Sequence, residues 1–157
     1  MKLQVKKVGM RNIKTAIAVL ISIILSKLFK MEYPFYAAIA AIISMQSSVE
    51  ESFRAGRNRM IGTLIGAVVG FICALINPGN AFVSAIGIVI VIYLCNLLKW
   101  KESSSIGGVV FLAIMLNLKG NSPLWYSINR LFDTFLGIIV AIVVNYFIIP
   151  PEKKQLD

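Results

Sequence analysis

Arg59-Met60-Ile61-Gly62-Thr63-Leu64-Ile65-Gly66 and Arg130-Leu131-Phe132-Asp133-Thr134-Phe135-Leu136-Gly137 are two copies of one eight-residue pattern, 71 positions apart. Arginine, threonine and glycine recur at the same three places, while the fourth place holds Gly62 in one copy and Asp133 in the other. Each copy opens an apolar run of the length that crosses a bilayer, which takes about 20 residues. Residues three apart share one face of a helix. An arginine and a carboxylate there are costly in lipid and are retained where they have a function.

The composition agrees with a membrane reading. Of 157 residues, 58% are hydrophobic and 15% charged, against about 45–50% apolar and about 25% charged in soluble domains. The excess of apolar residues exceeds the need of one soluble core, and the chain has no room for a second domain of ordinary size. The expected class is an all-α integral membrane protein with a single domain over 1–157. The net charge of +9 does not point to nucleic acid, because the basic residues lie between apolar runs and form no face interleaved with aromatics. Histidine is absent, and Cys73 and Cys95 both sit inside apolar runs. The cysteines read as small buried hydrophobes, and neither a metal nor a cofactor is expected. No nucleophile–base set appears, so an enzyme is not expected.

Six spans are predicted, at about 13–29, 33–46, 60–76, 81–98, 106–118 and 124–149. Asn77-Pro78-Gly79-Asn80 separates the third from the fourth. Tyr33-Pro34 and Ser122-Pro123 start two others, since proline is tolerated in a first helical turn. The basic N-terminal stretch has the look of a signal peptide, but no small-residue cleavage site follows, so it reads as a retained first helix. With the N-terminus cytoplasmic, twelve basic residues fall inside: Lys2, Lys6, Lys7, Arg11, Lys14, Arg54, Arg57, Arg59, Lys99, Lys101, Lys153 and Lys154. Four fall outside: Lys27, Lys30, Lys119 and Arg130. The excess of positive charge inside places both termini in the cytoplasm. The polar segment from Gln46 to Arg59 reads as a cytoplasmic helical extension with a Glu50–Arg54 ion pair, or as a gate at the inner mouth.

Three spans precede the midpoint and three follow it, so the second half is inverted relative to the first. This 3+3 inverted repeat is the arrangement of many secondary transporters, whose site lies near the midplane between repeats. The second and fifth spans are both short and occupy matching positions, a further pointer to a transport site. The fifth carries Gly107-Gly108, where a helix can break, and the second is rich in alanine (Ala37, Ala38, Ala40, Ala41).

The pattern supplies the candidate residues. Gly62, Gly66 and Gly70, with Gly137 in the second copy, read as helix-packing positions. Arg130 lies roughly 10 Å below the outer end of its helix. It is either a mutually neutralised partner of Asp133 or an attractor of an organic anion. Asp133 is the one acidic residue well inside an apolar span and is the candidate for proton coupling. Arg59 pairs with Glu50 or Glu51, faces lipid headgroups, or is the inner-mouth counterpart of Arg130. Thr63 and Thr134 either bond their own backbone one turn back or contact the ligand. Tyr36 is a candidate for stacking on an aromatic substrate. Asn96, Asn117 and Asn145 read as interhelical hydrogen-bonding residues.

Tyr36-Ala-Ala-Ile-Ala-Ala-Ile, followed by Met45-Gln46, the two Arg-containing copies and Asn145, together resemble the aromatic acid exporter family, within the wider group of fusaric-acid-resistance-like membrane proteins. The resemblance covers about residues 7–151. It implies a six-helix bacterial inner-membrane protein that exports organic anions, aromatic carboxylates among them. A distant plant branch resembles dimeric malate-permeable anion channels, which implies a homodimer with a basic path. The alternatives are a passive anion channel at a dimer interface and a non-transporting membrane scaffold. Family members usually continue into a long cytoplasmic helical region after the sixth span. That region is absent from this sequence, which implies a short member or a piece of a longer one.

Overall fold

The structure, a computed structural model, describes residues 9–117, 120 and 122–148. It consists of α1 (Met10–Leu28), α2 (Pro34–Ser44), α3 (Val49–Ile76), α4 (Ala81–Leu97), α5 (Ser104–Leu116) and α6 (Pro123–Phe147), with a 3-10 turn at Lys101–Ser103 leading into α5. Among the described residues there is no strand. Lys2, Lys6, Lys7, Lys119, Lys153 and Lys154, and the predicted span ends at 118 and 149, lie outside the described residues.

Local chemistry sets the helix starts. Pro34 and Pro123 occupy first turns, where the missing N–H costs nothing. The Asn80 side chain accepts from the amides of Phe82 and Val83, and the Ser48 hydroxyl accepts from the amide of Glu51, satisfying N–H groups that have no partner within the helix. Two expectations change here. The polar extension and the third span are one continuous helix of 28 residues. Its first turn is anchored by the Ser48 cap, and Glu50 and Arg54 form no ion pair. Gly107-Gly108 does not break the fifth helix, since α5 runs unbroken through both.

The packing has an internal order. α1 and α2 pack on each other and on α6; α4 and α5 pack on each other and on α3. Each half therefore lends its third helix to the other half. α3 and α6 cross at the centre and run antiparallel, with Ser52 meeting Asn145 near one end and Thr63 meeting Thr134 near the middle. The ends of α1 and α4 also match. Lys30 (φ 53°) and Lys99 (φ 64°) both adopt the left-handed conformation. The following amides close the same loop, Met31 N–H to the carbonyl of Ser26 and Trp100 N–H to that of Cys95, each at 2.8 Å. This is the Schellman cap, with lysine where glycine is usual.

The motif glycines sit where helices nearly touch. A side chain at Gly66 would collide with the carbonyl of Gly107 on α5, and one at Gly137 with the carbonyl of Ala37 on α2. Equivalent glycines thus face equivalent partners. At Gly62 the neighbour is the Ser103 carbonyl, and at Gly70 the side chain of Ile114.

The interior is apolar, with Phe111, Ile114 and Val91 fully buried, but so is much of the exterior. Leu20, Ile24, Val68, Ile72, Ile86 and Val89 are exposed along the helices, whereas Lys14, Arg59, Arg130 and Asp133 are buried. An apolar exterior of this extent marks a surface made for lipid or a partner. α3 and α6 are long and apolar enough to cross a membrane; α2 and α4 are apolar but shorter, at 11 and 17 residues. Cys73 and Cys95 are both free and buried.

Candidate functional site

α2 and α5, the matching short helices, do not touch. Between them lies a cleft of about 420 Å³, backed by α3 and α6. Its walls are aliphatic, from Ile39 and Ile43 on one side to Val110 and Leu116 on the other, and its polar groups are few: Arg59, Arg130, Thr134, Ser105 and Asn117, with Tyr36 beside them. The rim residues Phe35, Val109 and Leu116 are exposed, so the cleft opens sideways between the two short helices.

The two motif arginines reach this cleft from opposite directions because their helices are antiparallel. Thr63 donates to the carbonyl of Arg59 at 2.9 Å, which is the local back-bond expected of threonine in such a helix, and it also meets Thr134 at 3.4 Å. Each arginine stands one turn beyond its threonine, so their Cα atoms are separated along the bundle by two turns, or about 11 Å. Arg59 is 7% exposed and Arg130 3%, and Nε of each has no hydrogen-bond partner. Arg59 is buried, lines the cleft and forms no ion pair with Glu50 or Glu51.

Arg130 is enclosed by aromatic rings. Its guanidinium lies against the face of Tyr36 and 5.6 Å from the centroid of Tyr126. The two tyrosine hydroxyls are 3.4 Å apart, and Tyr33 packs edge-on against both rings. Cation–π contact stabilises a desolvated guanidinium without neutralising it. No carboxylate lines the cleft. A buried cation is strongly disfavoured unless an opposite charge stands near; Asp133 acts on Arg130 from outside the cleft, and both arginines present donors suited to a carboxylate.

Asp133 lines a different cavity from Arg130, although the two charges still attract each other across one turn of α6. Asp133 is 1% exposed, its Oδ2 has no hydrogen-bond partner, and it lines a second cavity of about 650 Å³ on another side of α6. Lys30, Glu32 and Asn129 line that cavity too, among aromatic residues that include Trp125 and Phe132. Residues three apart on a helix diverge by about 60° around its axis. With Arg130 drawn onto the tyrosines, the pair separates.

One buried constellation is illegible in the sequence. Lys14, only 3% exposed, donates to Asn145 Oδ1 at 2.9 Å. The Asn145 amide nitrogen is directed at the carbonyls of Gln46 and Ser48 and at Ser52 Oγ, which also accepts from the amide of Gln46. This network ties α1, the α2–α3 turn and the end of α6 together. Asn145 was legible as an interhelical bonder. Lys14 read as a topological charge, since a lysine near a helix start gives no sign of burial.

The family model described as aromatic acid exporter family member 1 matches residues 6–148. The UPF0421 protein YgaE of Bacillus subtilis (strain 168) is 31% identical over 148 residues, covering 94% of this chain and 42% of that protein. The UPF0421 protein OB2406 of Oceanobacillus iheyensis is 29% identical over 148 residues, with 94% and 42% covered. The UPF0421 protein SSP0904 of Staphylococcus saprophyticus is 24% identical over 148 residues, with 94% and 44% covered. The chain thus spans about two fifths of the length of the curated relatives it matches. No solved structure matches it.

Proposed function

The chain belongs to the aromatic acid exporter family, and from that premise we propose that it carries organic acid anions, aromatic carboxylates foremost, outward across the bacterial cell membrane. The observation that carries the proposal is the pair of buried arginines in one aliphatic cleft without a carboxylate. An aromatic carboxylate matches both parts: its ring fits the aliphatic walls and its anionic group the guanidinium donors. Arg59 receives the anion at the inner end and Arg130 at the outer end, with Thr63 and Thr134 between them. Tyr36 holds Arg130 until a carboxylate competes for it.

In this proposal all six helices span the membrane as a 3+3 inverted repeat with both termini cytoplasmic. The short α2 and α5 flank the site, as such helices do in transporters built on repeats. The cleft is open at the side, so a second copy of the chain closes it into a conduit, and the working unit is a homodimer. Asp133 is the coupling group. It exchanges a proton through its own cavity, where Lys30 and Glu32 also stand, while Arg130 occupies the adjoining turn of its helix.

The test is transport of labelled aromatic carboxylates by the purified chain in liposomes, with and without an imposed proton gradient. Saturable transport that falls on Arg59→Gln or Arg130→Gln is expected. Transport equal to protein-free liposomes refutes the proposal, and steady anion current indifferent to the gradient replaces the transporter by a passive channel.

A further inference from the structure

A third cavity, of about 380 Å³, lies between the lower part of α3 and the α4–α5 turn, and none of its residues lines the cleft. Four cations converge on it: Arg54, Arg57, Lys99 and Lys101. The one carboxylate lining it, Glu102, accepts from the side-chain amide of Asn58, and Arg54 and Arg57 also border a neighbouring cavity that Glu50 and Glu51 line. Like charges brought together repel, and exposed lysines and arginines ordinarily spread apart in solvent. Here the backbone sets all four at the edge of one cavity. The left-handed Lys99 and the Trp100-to-Cys95 bond fix the turn, and the Ser103 hydroxyl donates to the Asn58 carbonyl at 2.8 Å, locking the turn to α3. Arg57 is held over the Trp100 ring, 4.9 Å from its centroid, with its donors free for another partner.

The internal repeat supplies a comparison. Lys99-Trp100-Lys101 follows α4 as Lys30-Met31-Glu32 follows α1, with the same cap in both. The first turn borders a basic pocket, and the second borders the cavity of Asp133 and Glu32. One end of the molecule is built for an anion and the equivalent opposite end is not.

We propose that this basic pocket binds a phosphate ester, with the four cations and the Asn58 and Asn96 amides as its donors. Two sources offer that chemistry: the headgroup of an anionic lipid in the adjoining leaflet, and a soluble phosphate. Basic pockets between membrane helices on the cytoplasmic side take anionic headgroups, and tryptophan, as at Trp100, is enriched at the depth where such headgroups lie.

The experiment uses the full chain carrying Trp125→Phe, which leaves Trp100 as the sole tryptophan, in phosphatidylcholine nanodiscs. One arm replaces phosphatidylcholine stepwise with phosphatidylglycerol; the other adds inorganic phosphate. A saturable shift in Trp100 emission is expected, weakening with salt. Apparent affinity should fall about fivefold per charge removed, hence about fivefold in Lys101→Gln and about 25-fold in Arg54→Gln/Arg57→Gln. A response to phosphatidylglycerol alone assigns the headgroup, and a response to phosphate alone assigns the soluble ester. No response to either ligand, or a response that both variants keep at wild-type strength, overturns the proposal. Lys101→Gln lies on an exposed turn and keeps the test decisive if the double variant does not assemble.

Discussion

Arg130 and Asp133 stand one turn apart on α6 and face different cavities. The separation gives the two charges separate work. Had they formed an ion pair, each would have cancelled the other, and the cleft would hold Arg59 as its single cation. Because they part, the cleft holds both guanidinium groups and the carboxyl group lines a cavity of its own, while Arg130 and Asp133 still attract each other across the turn between them.

Arg130→Gln removes the cation but leaves a side chain of similar reach. A charge-assisted hydrogen bond contributes about 1.5–3 kcal/mol, so affinity for an aromatic carboxylate should fall roughly 10- to 100-fold, as read by equilibrium binding to detergent-solubilised protein. Arg130→Lys should recover part of the loss, since it restores charge without the planar fork. Unchanged binding in Arg130→Gln would remove this residue from the anion path.

Asp133→Asn should separate binding from coupling. Affinity for the carboxylate should stay within about twofold, because Asp133 does not line the cleft. Stimulation of transport by an imposed pH gradient should disappear. Retained stimulation with wild-type pH dependence would show that the proton uses another group.

Gly66→Ala and Gly137→Ala each push a methyl group into a facing carbonyl, on α5 and α2 respectively. Overpacking costs about 1–3 kcal/mol, and the rigid backbone on the far side leaves little room for relief. Both variants should melt earlier in detergent than Gly70→Ala, whose methyl meets the side chain of Ile114 at 3.1 Å. Equal melting temperatures for the three would contradict the close approach.

Asn145→Leu leaves Lys14 buried without its acceptor. Stranding a buried charge costs about 3–5 kcal/mol, enough to lower folded yield sharply. Replacing both groups with apolar residues, Lys14→Met/Asn145→Leu, should recover most of the loss, because nothing charged is then left unpaired. A double variant no more stable than Asn145→Leu would mean that the network acts through more than this pair.

Lys30→Gly relieves a left-handed residue at the α1 cap. For a non-glycine residue that conformation costs about 1–2 kcal/mol, so the variant should raise thermal stability, with the Met31-to-Ser26 bond retained. A lower melting temperature would indicate that the lysine side chain contributes more than its backbone costs.

Much of the fold is legible in the sequence because its signals are local. The proline starts, the Asn77–Asn80 turn and the apolar runs locate five of the helices to within a few residues, α3 beginning at Val49 and not near 60 because its polar extension is continuous with it, and the doubled motif marks the central crossing. The failures are tertiary. Gly107-Gly108 looks like a break until Gly66 is seen against Gly107, after which it is the place where two backbones meet. Arg130 and Asp133 look like a pair because helical spacing allows it; the tyrosines that draw Arg130 away come from α2 and from one turn earlier on α6, and no spacing rule ranks them above a carboxylate. The Lys30 and Lys99 caps were present as Leu-Phe-Lys-Met and Leu-Leu-Lys-Trp, but without a glycine they carried no cap signal.

The hydroxyl contact between Thr63 and Thr134 lies on the crossing of two antiparallel helices that carry the same motif. A contact shared by two like halves is where an approximate twofold axis passes. Around it α3 packs on α5 as α6 packs on α2, so each half gives the other the same kind of contact. The likeness of the halves stops at charge: Gly62 answers to Asp133, and the Lys30 cap is followed by Met31-Glu32 where the Lys99 cap is followed by Trp100-Lys101.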